Sequence, residues 1–125
     1  MKLDPNIIIL TETKFSQGCV YLNDRLISLG YHVVFPKPKA PGYGVLFASK
    51  LHPRKTSFAN NIDTDFRARV ISVKLPYLAA ELEIVAVYVP NKRDEKKKNF
   101  LQSLLKSLDN SPLTSNRIFC GDLNI

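Results

Sequence analysis

Arg117-Ile118-Phe119-Cys120-Gly121-Asp122-Leu123-Asn124 is the stretch on which the reading of this chain turns. An apolar run from Arg117 to Cys120 reads as a short strand, and the glycine that follows opens a polar turn carrying one carboxylate and one amide. Taken alone, Asp122 and Asn124 are equally well explained as an Asx-type turn closing a strand. Their significance depends on what lies at the ends of the other strands.

Working toward the amino terminus, Phe100, Leu101, Leu104, Leu105 and Leu108 form an apolar stripe at helical spacing. Asp94 and Glu95 at its start suit the positive end of a helix dipole, and Asn110-Ser111-Pro112 stops it. Before this helix stand two β-rich runs, Arg69 to Leu75 and Leu82 to Val89, joined around Pro76-Tyr77 and predicted to pair antiparallel. The segment from 51 to 66 is the least patterned and reads as a short edge strand with a loop. Val45 to Ala48 and Tyr31 to Phe35 are further strands, separated by a loop over Lys37 to Lys39 in a stretch interrupted by Pro36, Pro38 and Pro41. Val20, Leu22, Leu26, Ile27 and Leu29 predict an amphipathic helix over 19–29 that ends at Gly30. Ile7-Ile8-Ile9-Leu10 is a continuous β-branched run of the kind buried in a layered α/β sheet, and it leads into Thr11-Glu12-Thr13-Lys14.

Three polar clusters therefore follow three strands: Thr11 to Lys14, Tyr88 to Asn91, and Gly121 to Asn124. Strands ending at a common edge would converge their side chains on one cleft. Glu12, Asp122, Asn91, Asn124 and Tyr88 supply hard oxygen ligands and hydrogen-bonding groups without the histidine and cysteine clusters of zinc sites. Such a sparse acidic set suits magnesium, which keeps several waters and binds phosphate oxygens. Individually, Glu12 is also readable as a solubilising acid, and Tyr88 and Tyr43 as core or rim aromatics.

The bulk properties are compatible with this chemistry. The chain has 125 residues, 45% of them hydrophobic, enough for one domain, and lacks any apolar run of membrane-spanning length. Eighteen basic residues against eleven acidic ones leave a net charge of +7, which favours polyanionic partners. Lys92 to Lys98 has mixed charge and reads as a solvated helix start with, at most, a secondary nucleic-acid contact. Cys19 and Cys120 sit among apolar neighbours and are expected to be reduced, and Met1 to Pro5 does not open a signal peptide. An intracellular location is the corresponding expectation, with nucleus and cytoplasm undistinguished. His32 and His52 fall in no site motif.

The order Thr-Glu-Thr-Lys at 11–14, Gly-Tyr-Gly-Val at 42–45, Arg-Val-Ile at 69–71, Tyr-Val-Pro-Asn at 88–91 and Phe-Cys-Gly-Asp-Leu-Asn at 119–124 resembles the endonuclease/exonuclease/phosphatase superfamily. Within it the pattern is most similar to apurinic/apyrimidinic (exonuclease III-type) endonucleases and to the endonuclease domains of non-LTR retrotransposons. The resemblance spans Asp4 to Ile125. It implies an α/β fold, a partial four-layer α/β sandwich of two packed mixed β-sheets flanked by helices. Residues 1–125 would form one partial domain missing the first strand and the C-terminal half.

By the same resemblance, Glu12 binds the metal and Lys14 neighbours it. Asp122 would activate the attacking water, Asn124 and Tyr88 would face the scissile phosphate, Asn91 would support the site or contact the nucleic-acid backbone, and Tyr43 would be a groove or backbone contact to substrate. The implied cofactor is Mg²⁺, with Mn²⁺ as its substitute, and the implied partner is nucleic acid, DNA foremost. The family pattern also contains an earlier asparagine-bearing strand and a later aspartate and aspartate-histidine pair, so little or no nuclease activity is expected of the 125-residue polypeptide alone. Two other readings stay open: a phosphoinositide- or sphingolipid-type phosphoesterase of the same fold, and a basic nucleic-acid-binding remnant without catalysis.

Overall fold

A computed structural model describes residues 3–39, 42–91, 94–111 and 116–125. Pro41, Lys92, Arg93 and Pro112, which entered the sequence reading, lie outside them. The described strands are β1 (Ile7–Thr13), β2 (His32–Val34), β3 (Gly44–Ser49), β4 (Arg54–Lys55), β5 (Val70–Tyr77), β6 (Ala80–Tyr88) and β7 (Arg117–Asp122), and the helices are α1 (Gln17–Ser28) and α2 (Glu95–Asn110). They form a sheet of order β1-β3-β2 and a second of order β4-β5-β6-β7. The first is antiparallel throughout, whereas the second is mixed, because β7 runs parallel to β6 after the α2 crossover.

Strand alternation builds the layers. On β3, Val45 and Phe47 face Ile71, Val73, Leu75, Ile84, Ala86 and Tyr88 of the opposing sheet, making the core between the sheets. The alternate residues Leu46 and Ala48 pack beneath Leu26 of α1 and Tyr31. On the far side, Val70, Val85, Val87 and Val89 pack with Phe100 of α2. The order is thus helix, sheet, sheet, helix, the four-layer α/β sandwich. The continuous apolar runs of β3 and β6 are explained by burial on both faces, whereas Ile8, Ile9 and Leu10 of β1 are half-buried and Ile7 is exposed.

Local signals set most boundaries. Ser16 caps α1 by accepting from the Cys19 amide at 3.3 Å, so the helix begins two residues before its predicted start, and Gly30 follows the helix end at φ 92°. Asp94 caps α2 by accepting from the Lys97 amide at 3.2 Å. β5 and β6 pair antiparallel from Val70↔Val87 to Tyr77↔Ala80, as their patterns predicted.

Two differences from the sequence reading have clear causes. The segment after β4 contains two 3₁₀ turns, Phe58–Asn61 and Thr64–Arg69, which bury Phe58, Ile62 and Phe66 against the β5-β6 face and α2. Their spacing matches neither helical nor strand periodicity over a long enough window to be seen. Second, β1 continues through Thr13, so Glu12 lies in the strand and not in a loop beyond it. Cys19 and Cys120 are free thiols, both half-buried.

Candidate active site

The carboxyl ends of β6 and β7 bring the first two groups together. Tyr88 and Asp122 are direct partners in the parallel ladder and lie on the same side of the sheet as Ile84 and Ala86, facing β1 and β3. The Val89 amide donates to the Asp122 carbonyl at 2.9 Å, extending the ladder by one bond beyond the strand end.

Gly121 makes that juncture geometrically feasible. It has φ 131°, and a β-carbon there would overlap the Val87 carbonyl oxygen. Beyond it, the Asn124 amide donates to Asp122 Oδ1 at 3.0 Å, so Asp122 does build the Asx turn that its sequence context suggested. Asn124, at φ 47°, donates from Nδ2 to the Val89 carbonyl at 2.6 Å, and its own carbonyl accepts from Lys97 Nζ at 2.5 Å. The turn is therefore braced by β6 and by the first turn of α2.

Glu12 reaches the same place by a β-bulge. In the β1-β3 ladder Leu10 faces Leu46 and Thr13 faces Gly44, so Thr11 and Glu12 stand opposite Val45 alone. Glu12 takes φ 56°, an uncommon conformation for a non-glycine residue, which redirects its side chain relative to the strand. The neighbouring Thr13 is buried, and its hydroxyl has no hydrogen-bond partner among the described residues.

The electrostatics of Tyr88 report the convergence. Burial pushes its phenol pKa above the usual value, and the negative fields of Glu12 and Asp122, with Tyr43, push the same way, while the Arg69 cation opposes them. Neither Glu12 nor Asp122 has a salt-bridge partner among the described residues. Two carboxylates thus approach one phenol without a protein cation neutralising them by direct ion pairing.

Beside this cluster lies a cleft of about 810 Å³ whose lining includes Tyr88, Tyr43, Asn91, Lys39, Arg69 and Lys96. Tyr88 belongs to both the cleft and the carboxylate cluster. Of the residues singled out in the sequence, Glu12, Tyr88 and Asp122 converge, Asn124 is braced beside them, and Tyr43 and Asn91 line the cleft. Lys14 is exposed and makes no hydrogen bond or ion pair among the described residues. His32 and His52 contact each other, with ring centroids 4.7 Å apart, and neither lines the cleft.

Arg69 and Lys97 join the site without having been among the candidate site residues. Arg69 is only 7% exposed, yet its guanidinium lies 4.7 Å from the centre of the Tyr88 ring and donates to the Tyr88 carbonyl at 3.2 Å. The only available signal was its place in the Arg-Val-Ile motif. Lys97 was grouped with a solvated charge run, because its contact with Asn124 joins residues far apart in the chain.

No protein-family model and no curated protein sequence matches the chain. Among solved structures, it is similar to an AP endonuclease from Archaeoglobus fulgidus at TM-score 0.73 and 28% identity, covering 97% of this chain and 48% of that one. It is also similar to D. rerio TDP2 complexed with a single-strand DNA product, at TM-score 0.63 and 17% identity, covering 97% and 48%. A third similarity is to ANGEL2, a 2′,3′-cyclic phosphatase, at TM-score 0.61 and 18% identity, covering 95% and 40%. The chain spans about half the length of these structures or somewhat less. The layer order and these similarities together show that the chain has the endonuclease/exonuclease/phosphatase superfamily fold.

Proposed function

We propose that this chain carries part of the active site of a magnesium-dependent phosphodiesterase acting on nucleic acid, most simply a DNA endonuclease. The observation that carries the reading is the convergence of Glu12 and Asp122 on Tyr88 beside a cleft with several cationic side chains. An in-line attack on a phosphodiester builds negative charge on phosphoryl and leaving oxygens, and a cation with aimed donors stabilises it. Similarity to an AP endonuclease, and to a TDP2 structure containing single-strand DNA, supports nucleic acid over a lipid headgroup.

The donor chemistry fits the implied metal. Glu12 and Asp122 offer hard carboxylate oxygens, and the Asn124 side chain beside Asp122 adds a neutral polar group. A hydrated magnesium needs only one or two protein carboxylates, which Glu12 and Asp122 would supply. When bound, the metal would supply charge stabilisation at the phosphate. The chain's own residues then divide the work: Glu12 holds the metal, Asp122 accepts the proton of the attacking water, and Tyr88 donates its phenolic hydrogen toward the phosphate. Asn124 retains a second amide hydrogen besides the one given to Val89.

Metal binding tests this without requiring turnover. Paramagnetic Mn²⁺ should broaden the amide resonances of residues 12, 13 and 122–124 in the wild-type chain, and a Glu12→Gln/Asp122→Asn variant should lose that broadening. Equal broadening in both would remove the metal assignment. Where magnesium-dependent nicking of abasic DNA is measurable, Asp122→Asn should lower it by at least ~10²-fold, as expected for a group aligned with the reacting water.

A further inference from the structure

The chain contains two histidines, and the fold brings them to one place. His32 opens β2 and His52 lies in the connection from β3 to β4, yet their ring centres are 4.7 Å apart, with the planes tilted by 49°. Ser49, the last residue of β3, positions both. It is the ladder partner of His32, and its buried side chain accepts from the Leu51 amide at 3.1 Å, which fixes the turn leading into His52. β3 begins at Gly44, opposite Thr13 and next to the Glu12 bulge, and ends at Ser49. The histidine pair therefore stands at the other end of that strand, about 17 Å away for five residue steps, and is separate from the candidate active site.

Both residues are exposed, and their ring nitrogens are available. His52 Nδ1 lies 3.1 Å from the Pro53 carbonyl oxygen, which can only accept, so the ring hydrogen belongs on Nδ1 and Nε2 carries the open lone pair. One nitrogen tied to a backbone carbonyl and the other open is the arrangement of a metal-ligating histidine. His32 has no hydrogen-bond partner among the described residues. The spacing fits as well. With metal–nitrogen bonds of about 2.0–2.1 Å and each ring centre about 1.1–1.2 Å behind its nitrogen, imidazoles sharing one cation have centres about 4.5 Å apart at a right angle and about 5.2 Å apart at the tetrahedral angle. The observed separation of 4.7 Å falls between these values. Lys50 and Arg54, the cations flanking His52 in the chain, are paired with Asp4 and Glu81, so neither charge stands unopposed beside an incoming ion.

We propose that His32 and His52 together bind a divalent transition-metal cation, Zn²⁺ foremost, which ties the edge strand β2 to the β3–β4 connection. Imidazole nitrogens suit zinc and its neighbours, whereas magnesium takes oxygen ligands. Two protein ligands leave the remaining coordination positions to water. β2 is three residues long and pairs only with β3 among the described residues, so the ion gives it a second anchor. This site does not depend on the chemistry proposed for Glu12 and Asp122.

The test uses the full 125-residue chain with no added histidines, so that the two rings are the only imidazoles in the spectrum. Zinc chloride is titrated while both rings are followed by NMR. Both should shift together and saturate, and the same concentration of Mg²⁺ should leave them in place. His32→Gln and His52→Gln should each weaken zinc binding at least ~10-fold, since a single imidazole loses the chelate. Zinc should also raise the thermal midpoint of the wild type but not that of a His32→Gln/His52→Gln variant. Both side chains are exposed, and amide spectra unchanged away from the substitutions verify that the variants keep the fold.

Cys19 and Cys120 are the competing ligands in this chain. Zinc held as tightly by the double variant as by the wild type belongs to the thiols and overturns the proposal. So does a response of one ring alone, or single variants that bind as tightly as the wild type. Rings unmoved by zinc are a ring–ring contact only, which overturns it too.

Discussion

Gly121 and Tyr88 show how much of the candidate site depends on single residues. At Gly121, φ 131° and the overlap of any β-carbon with the Val87 carbonyl combine backbone strain with a clash. Gly121→Ala should therefore destabilise the chain by about 2–5 kcal/mol, read from urea denaturation, and should also displace Asp122. Tyr88 has its phenol pKa raised by burial first and by Glu12 and Asp122 next. Because the folded-state value exceeds the unfolded one, the neutral phenol contributes stability that is fully present below the ordinary value near 10. That contribution is lost as the pH rises through the folded-state value. Alkaline titration of tyrosinate absorbance should show a late-titrating component that disappears in Tyr88→Phe. A Tyr88→Phe spectrum retaining the entire late component would reject the assignment.

At the scale of elements, β7 is held in its parallel register partly by a buried ion pair. Arg117 stands opposite Glu83 in the ladder and pairs with its carboxylate, with side-chain exposures of 13% and 5%. Arg117 also lies over the Phe58 ring at 5.3 Å and donates to the Ser111 hydroxyl at 3.0 Å. Removing one partner leaves the other charge buried, so Arg117→Met should cost about 3–5 kcal/mol. Combining it with Glu83→Leu should recover a substantial part of that loss, which a double-mutant cycle by thermal or urea denaturation will measure. Since β7 ends at Asp122, the single variant should also weaken Mn²⁺ binding, whereas the double variant should restore it. The β1 bulge is the second element that matters here: it turns the Glu12 side chain by inserting one residue opposite Val45.

The whole molecule combines a covered core with exposed apolar residues on β7 and α2. β7 is an outer strand of its sheet in the described structure, and Ile118 and Phe119 on it are 47% and 40% exposed. Leu101, Leu105 and Leu108 of α2 are exposed as well. Unpaired strand edges with apolar neighbours promote association, while the net charge of +7 opposes it. The 125-residue chain should therefore self-associate more as salt screens that charge, visible as a rise in weight-average mass by sedimentation between low and high ionic strength. Ile118→Lys should reduce the effect without changing the fold as seen by circular dichroism. A mass independent of salt and concentration would rule out this surface as a driver of association.

Much of the fold was legible because its signals are local. Apolar runs located β1, β3, β5, β6 and β7, the leucine stripe located α2, and the antiparallel pairing of β5 and β6 followed from two adjacent patterned runs. The two 3₁₀ turns carrying Phe58, Ile62 and Phe66 were not legible, since short irregular segments have no sustained period and owe their burial to distant partners. The sequence by itself determined the residue inventory at three strand ends, including Glu12, Tyr88 and Asp122, and the order in which they occur. Only the tertiary structure decided that a bulge turns Glu12 toward Tyr88, that Asp122 stands beside Tyr88 in a parallel register, and that Arg69 is buried against its ring. The physical reason is that side-chain identity is local, whereas register, burial and electric field are set by groups brought together across the chain.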